Sequence, residues 1–187
     1  MVRELADGGL EKWLLTELPK ARERVTTLRE RWPSDDPRAL ARRLIDDKKK
    51  WARAGGAVSG LFGLATLPAD LAFVAWLQVG LIVEIAVANE RHMKSARARE
   101  EVIDIFVAAN GLAGPALRAS PKAVARVAET LLVKRGMRLL GRLVPVVSAP
   151  VSAFLNDRDI ERAGLAAIRH YTLAPLALEA RRAASGT

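Results

Sequence analysis

Gly55-Gly56-Ala57-Val58-Ser59-Gly60-Leu61-Phe62-Gly63-Leu64-Ala65-Thr66-Leu67-Pro68-Ala69-Asp70-Leu71-Ala72-Phe73-Val74-Ala75-Trp76-Leu77-Gln78-Val79-Gly80-Leu81-Ile82-Val83-Glu84-Ile85-Ala86-Val87-Ala88 is the stretch on which the fold turns. Its only ionisable side chains are Asp70 and Glu84. It divides at Thr66-Leu67-Pro68, where a hydroxyl able to cap a helix precedes a proline suited to a first helical turn. The half before the break carries Gly56, Gly60 and Gly63 on one side of a helix. Each glycine there costs about 1 kcal/mol against alanine, which is tolerable where a second helix must come close. The half from Leu71 to Ala88 is apolar almost all round, so it must be buried in protein or in lipid. The two halves together predict a helical hairpin over residues 55–89.

A single membrane crossing does not suit this stretch. Spanning needs about 20 predominantly apolar residues, and Leu71 to Ala88 falls just short with Gln78 and Glu84 inside it. A deep acidic residue costs roughly 2.5–3.5 kcal/mol on insertion scales. Both flanks are basic: Lys48, Lys49, Lys50 and Arg53 precede the stretch, and Arg91, Lys94, Arg97 and Arg99 follow it. Basic flanks stay on the cytoplasmic side, so both ends are expected there. The expectation is therefore a hairpin that forms the core of a soluble bundle or dips into one leaflet, with the soluble core favoured.

Working outward, residues 1–54 read as amphipathic helices. Leu10, Leu14, Leu18, Ala21, Val25, Leu28 and Trp32 recur at steps of three and four, with Pro19 expected to kink or divide the run. Pro33-Ser34-Asp35-Asp36-Pro37 reads as a turn in which Asp36 caps the next helix. That helix buries Leu40, Leu44 and Ile45 and is expected to end soon after Lys48-Lys49-Lys50. Residues 95–187 are read as basic helices. Ser95 caps one running to about Asn110, with Gly111 as its stop; Ser120-Pro121 opens another. Pro145 and Pro150 bracket a short apolar segment, and Asn156-Asp157 starts the last long helix. Half of the 187 residues are apolar but only 5% are aromatic, a composition that favours helices over strands. The predicted fold is all-α, a single-domain bundle over residues 1–187 around the central hairpin.

The chain has no cysteine, which excludes a disulfide framework, a thiolate metal site and a cysteine nucleophile. The first residues, with acidic groups early and no apolar run, carry no export signal, so the cytoplasm is the expected compartment. The glycines of 55–63 match neither a P-loop nor a Rossmann turn, because no Lys-Ser/Thr pair follows them and no strand precedes them. His92 and His170 stand apart from any ligand pattern. Asp70 and Glu84, fourteen residues apart, would lie about 21 Å from each other on one helix, too far to share a substrate atom. No catalytic, cofactor or metal site is predicted. Asp70 is read as a capping acceptor, Gln78 and Asn156 as structural polar groups, and Glu84 as the partner of an arginine in the C-terminal helices.

The net charge of +9 is unevenly spread, with +4 on residues 1–54, −2 on 55–116 and +7 on 117–187. Such a distribution fits an anionic partner, although solubility alone can explain it. Lys134, Arg135, Arg138 and Arg142 recur at helical spacing beside Leu131, Leu132, Leu139, Leu140 and Leu143. That is the pattern of an interfacial helix, in which each basic group contributes about 1 kcal/mol near anionic lipid. Lys48, Lys49 and Lys50 form a second basic group. Followed by Trp51, they also suit nucleic acid, but no base-reading motif accompanies them.

The segment Gly56-Ala57-x-x-Gly60-x-x-Gly63-Leu64-x-x-Leu67-Pro68-Ala69-Asp70-Leu71, with Leu77-Gln78-x-x-Leu81-Ile82-x-Glu84-Ile85-Ala86, resembles the central signature of the EcsC protein family. Gly141-Arg142-Leu143-Val144-Pro145-Val146-Val147-Ser148-Ala149-Pro150, followed by Asn156 and the helix bearing Ile160, Ala163 and Ala167, is similar to its C-terminal pattern. The two blocks cover about half the chain in the expected order. The resemblance implies a helical bacterial protein at the cytoplasmic face of a membrane, without a settled reaction. The expected role is non-enzymatic binding, to anionic lipid, to a membrane protein or to copies of itself, with nucleic acid as the alternative partner.

Overall fold

A computed structural model describes residues 10–61, 67–93, 95–111 and 145–173, together with 175. The described residues form five α-helices packed together and no strand: α1 (Leu10–Arg31), α2 (Pro37–Leu61), α3 (Leu67–Ala88), α4 (Ala96–Ala109) and α5 (Pro145–Ile168). One π-helical turn, Arg169–Leu173, closes α5.

Local chemistry explains most boundaries. Asp36 accepts a hydrogen bond from the Ala39 amide at 2.7 Å, and Pro37 is the first residue of α2, as the turn reading predicts. The corner is braced by Trp32, whose ring lies between the guanidiniums of Arg31 (4.8 Å) and Arg43 (3.9 Å). Ser95 caps α4, its hydroxyl accepting from the Ala98 amide at 3.1 Å. Gly111 then adopts φ 68°, the left-handed stop that glycine takes without strain.

Three boundaries differ from the sequence expectation. α1 runs unbroken through Pro19; the proline is exposed, so the carbonyl that loses its partner can turn to water. α2 continues through Gly55 to Leu61, so the first arm of the hairpin is the last part of a 25-residue helix. A Cβ at Gly55 would stand 2.5 Å from the Phe73 ring, and that close approach explains glycine there better than a helix end does. α5 is one helix through Pro150 and Asn156. Asn156 is therefore not a cap; it lies mid-helix, 2% exposed and with its polar side chain engaged.

α3 sits at the centre and touches all four other helices, which is where an all-round apolar helix must be. Val74, Leu77 and every residue from Val79 to Ala86 are buried. Among the described residues, no helix is long and apolar enough to cross a membrane. The directions of the helices follow from cross-contacts. Arg24 meets Glu84 and Arg29 bonds the Ala88 carbonyl, so α1 runs parallel to α3. Lys48 meets Glu84 and Gly55 meets Phe73, so α2 runs antiparallel. Asn110 reaches back to Gln78, which sets α4 antiparallel to α3. The most extensive interface is α2 on α5, also antiparallel, with Arg53 on Asp157, Lys49 on Glu161 and Ile45 on Gly164. A Cβ at Gly164 would collide with the Ile45 side chain.

Candidate functional site

The basic run Lys48-Lys49-Lys50 is split by helix geometry into three different roles. Lys48 falls four residues after Leu44 and four before Ala52, both buried, so its side chain is drawn inward. Its ammonium is 2.9 Å from Glu84 Oε1 and 5.9 Å from the Trp76 ring centroid. Lys48 therefore does not face solvent as the lipid-binding reading expected. Lys49 lies against α5, 3.2 Å from Asp157 and 3.3 Å from Glu161. Burial acts to lower its pKa, but the bonds and charges of Asp157 and Glu161 outweigh it and hold the ammonium above the ordinary lysine range. Lys50 points to solvent with a side chain 72% exposed, paired with Asp47 one turn back at 2.8 Å.

Beside Lys50 stands Trp51, 67% exposed. A tryptophan of that size left in water calls for a reason, because burying a large aromatic is among the strongest apolar gains available. Arg53 reaches from the same helix to Asp157 at 2.6 Å and remains more than half exposed. Leu15 of α1 is as exposed as Trp51.

Inside the bundle, Glu84 is fully buried and joins three helices. Its Oε1 lies 2.5 Å from Arg24 Nε on α1 and 2.9 Å from Lys48 Nζ on α2. Neither carboxylate oxygen accepts a well-directed hydrogen bond, so the two cations hold the group by charge. Arg24 also leans on Glu17, which in turn binds Lys20 at 2.7 Å. The arginine partner expected from the C-terminal helices is thus supplied by α1, and α2 adds a lysine. Parallel packing of α1 on α3 brings Arg24 to that level. Gln78, equally buried, is satisfied by Asn110 Nδ2 at 2.8 Å.

A second charged cluster closes the opposite end. Glu101 lies 3.7 Å from Arg91, 3.6 Å from Arg97 and 3.8 Å from His170 Nε2, beside an open pocket of about 360 Å³ lined by Glu90, Arg91, His92, Ser95, Arg97 and Glu101. Tyr171 is buried behind it, its hydroxyl without a hydrogen-bond partner among the described residues. Burial first, and the Glu101 charge second, push its pKa well above the ordinary tyrosine range, against a smaller opposing effect of Arg91. Among the described residues, no group of three or more His, Asp or Glu side chains converges to hold a metal ion.

The remaining sequence candidates fall as follows. Gly56 and Gly60 lie in the last turns of α2, and Asp70 is the fourth residue of α3. Gly63 and the stripe Lys134, Arg135, Arg138 and Arg142 lie outside the described residues. Sequence reasoning missed Arg24 and Gly164, and noted Trp51 only as an adjunct to the lysines. For Trp51 no signal existed: seven residues after Leu44 and three after Lys48, it falls by spacing on the buried side of the helix, yet it is 67% exposed.

Comparison of the chain with protein-family models, with curated proteins and with solved structures finds no match.

Proposed function

We propose that this protein is a non-enzymatic module that docks on the cytoplasmic face of a membrane, as the EcsC-like pattern of its sequence implies, holding anionic lipid or a membrane protein. The observation that carries the reading is Trp51, 67% exposed and next to the solvent-facing Lys50. Tryptophan and lysine together suit the boundary of a bilayer, where the indole sits at headgroup level and the ammonium meets lipid phosphate. The stripe Lys134, Arg135, Arg138 and Arg142 adds positive charge of the same kind.

Flotation with neutral and with anionic vesicles, at low and high salt, tests the reading. Binding to anionic vesicles that weakens with salt is expected, because exposed charges are screened within about 8 Å at physiological ionic strength. A protein that stays at the bottom of the gradient with every vesicle, yet shifts DNA in a gel, would belong to the nucleic-acid class instead.

A further inference from the structure

Arg29, Arg43 and Arg53 each close on a carboxylate oxygen at 3.2 Å or less. Arg91 and Arg97 do not. Both face Glu101, at 3.7 and 3.6 Å, too far for a hydrogen bond, and among the described residues neither guanidinium donates one. They come from different elements, Arg91 from the turn after α3 and Arg97 from the first turn of α4, yet both line one open cavity of about 360 Å³. Glu90, in the same wall, is taken by Arg29 at 3.2 Å. Two guanidiniums are thus left to one carboxylate, and His92 adds an imidazole beside them. Ser95 lines the cavity as well; its oxygen accepts from the Ala98 amide, so its hydroxyl proton can still be donated. Behind Glu101, Tyr171 is 4% exposed, and its hydroxyl has no hydrogen-bond partner among the described residues, an uncommon state for a buried polar group. The charges of Glu101 and Arg91 both act on that hydroxyl, which places it toward the wall those two side chains form.

We propose that this cavity binds the phosphate group of a small phosphomonoester, held by Arg91, Arg97 and the Ser95 hydroxyl, with Glu101 as the internal acceptor that the phosphate displaces from the arginines. Two forked guanidiniums and a hydroxyl offer more donors than the two oxygens of a carboxylate can use. A phosphomonoester presents three terminal oxygens and up to two charges, which match them. The first amides of α4 have no acceptor within the helix and favour an anion at the same place. Small-ligand cavities run upward from about 300 Å³, so this one suits a phosphate with a short esterified chain. Once the arginines turn to the phosphate, Glu101 keeps His170, 3.8 Å away, and has the Tyr171 hydroxyl as a donor that nothing else uses. The cavity lies at the other end of the bundle from Trp51, because Lys48 is level with Glu84 and α2 runs antiparallel to α3. The site therefore stands independently of the membrane reading.

A free ester and a lipid headgroup carry the same phosphate, and two arms separate them: calorimetric titration with glycerol 3-phosphate, and flotation read as preference for phosphatidic acid over phosphatidylglycerol vesicles. Arg91→Gln is expected to weaken binding at least about tenfold. Arg97→Gln, at an almost fully exposed side chain, is expected to weaken it about threefold with the melting temperature unchanged. Arg42→Gln, which removes the same charge from an exposed position of α2, should leave it as it was. Glu101→Gln should bind about threefold tighter, because the acceptor that competes with the phosphate is gone; a residue needed only for the fold would give no such gain. This order of variants with glycerol 3-phosphate upholds the site and puts its ligand in solution. The same order seen only as a preference for phosphatidic acid upholds the site and assigns it a headgroup. No binding in either arm, equal losses in Arg91→Gln and Arg42→Gln, or weaker binding in Glu101→Gln overturns the proposal. None of those results touches flotation with phosphatidylglycerol, on which the membrane reading is judged.

Discussion

Glu84 and Glu101 are both carboxylates surrounded by cations, and they differ in almost everything else. Glu84 is buried in the middle of α3, with its two cations at 2.5 and 2.9 Å. Glu101 lies near the surface, its side chain 19% exposed, with two arginines and the His170 imidazole between 3.6 and 3.8 Å. Coulomb attraction rises as water is removed, but so does the penalty for leaving a charge alone. A contact map that counts nitrogen-bearing neighbours would rank Glu101 first. Burial and distance rank Glu84 first, and the same substitution at the two sites decides between them.

The largest effect is expected from Glu84→Ala. It strands the Lys48 ammonium, only 10% exposed, and removing one partner of a buried pair costs about 3–5 kcal/mol. Urea unfolding should show this as a lower midpoint with an unchanged slope. Replacing the pair together, Glu84→Met with Lys48→Met, should recover much of the loss, because no unpaired charge then remains. A loss under about 1 kcal/mol for the single variant would mean that the charge is solvated in a way the burial of Glu84 contradicts.

Next in size is Gly164→Ala, at the interface between α2 and α5. The added methyl would collide with Ile45, and overpacking a close helix contact costs about 1–3 kcal/mol. Ile45→Val in the same chain should return part of it by making room. If the alanine variant is instead as stable as the parent, the two helices are not in register at this point.

These sites also show what could be read before the structure. The caps at Asp36 and Ser95 and the stop at Gly111 were legible because each depends on a few adjacent residues. The burial of α3 was legible because an apolar helix has nowhere else to go. Pro19 misled because at an exposed position water satisfies the carbonyl that it orphans. Gly55 and Asn156 misled for the opposite reason: each is a local signal for a helix end, overridden by packing that the sequence does not display. At Gly55 the deciding neighbour, Phe73, is on another helix. The source of the cations around Glu84 was equally hidden, since an excess of arginine in the C-terminal third says nothing about which helix lies parallel to α3. Lys48 was different. Its spacing from Leu44 and Ala52 already placed it on the buried face, and grouping it with its two basic neighbours obscured that.

Between these extremes stands Tyr171, the only tyrosine in the chain, packed behind Glu101. Its pKa in the folded protein is raised above the ordinary value of 10.0. Below that value both folded and unfolded chains keep the proton, and the group leaves stability unchanged. Above it the unfolded chain ionises first, so stability falls as the pH rises, by about 1 kcal/mol near pH 11. Lys49 is shifted in the same direction and adds to the alkaline loss. Tyr171→Phe removes a buried hydroxyl that has no partner among the described residues, which is close to neutral at pH 7. It should also flatten part of the alkaline decline, leaving the share due to Lys49. Phenolate absorbance followed through a pH titration checks the assignment directly, with one residue to report.

The smallest effect is expected at Glu101 itself. Glu101→Gln keeps the shape and removes the charge that Arg91, Arg97 and His170 share. All three contacts are longer than 3.5 Å, and Arg97 is almost fully exposed, so water can replace what each loses. Surface pairs of this kind contribute about 0–1 kcal/mol and weaken with salt. The change should therefore move the urea midpoint little, and the remaining difference should vanish when salt is raised. Glu84→Gln, the identical chemical change, should keep most of its larger effect in the same salt, because the Glu84 and Lys48 side chains are only 1% and 10% exposed and buried pairs are screened much less. Equal losses at the two positions, with equal salt dependence, would show that the Glu84 site is open to solvent, and the distinction between the buried and the surface carboxylate would fail.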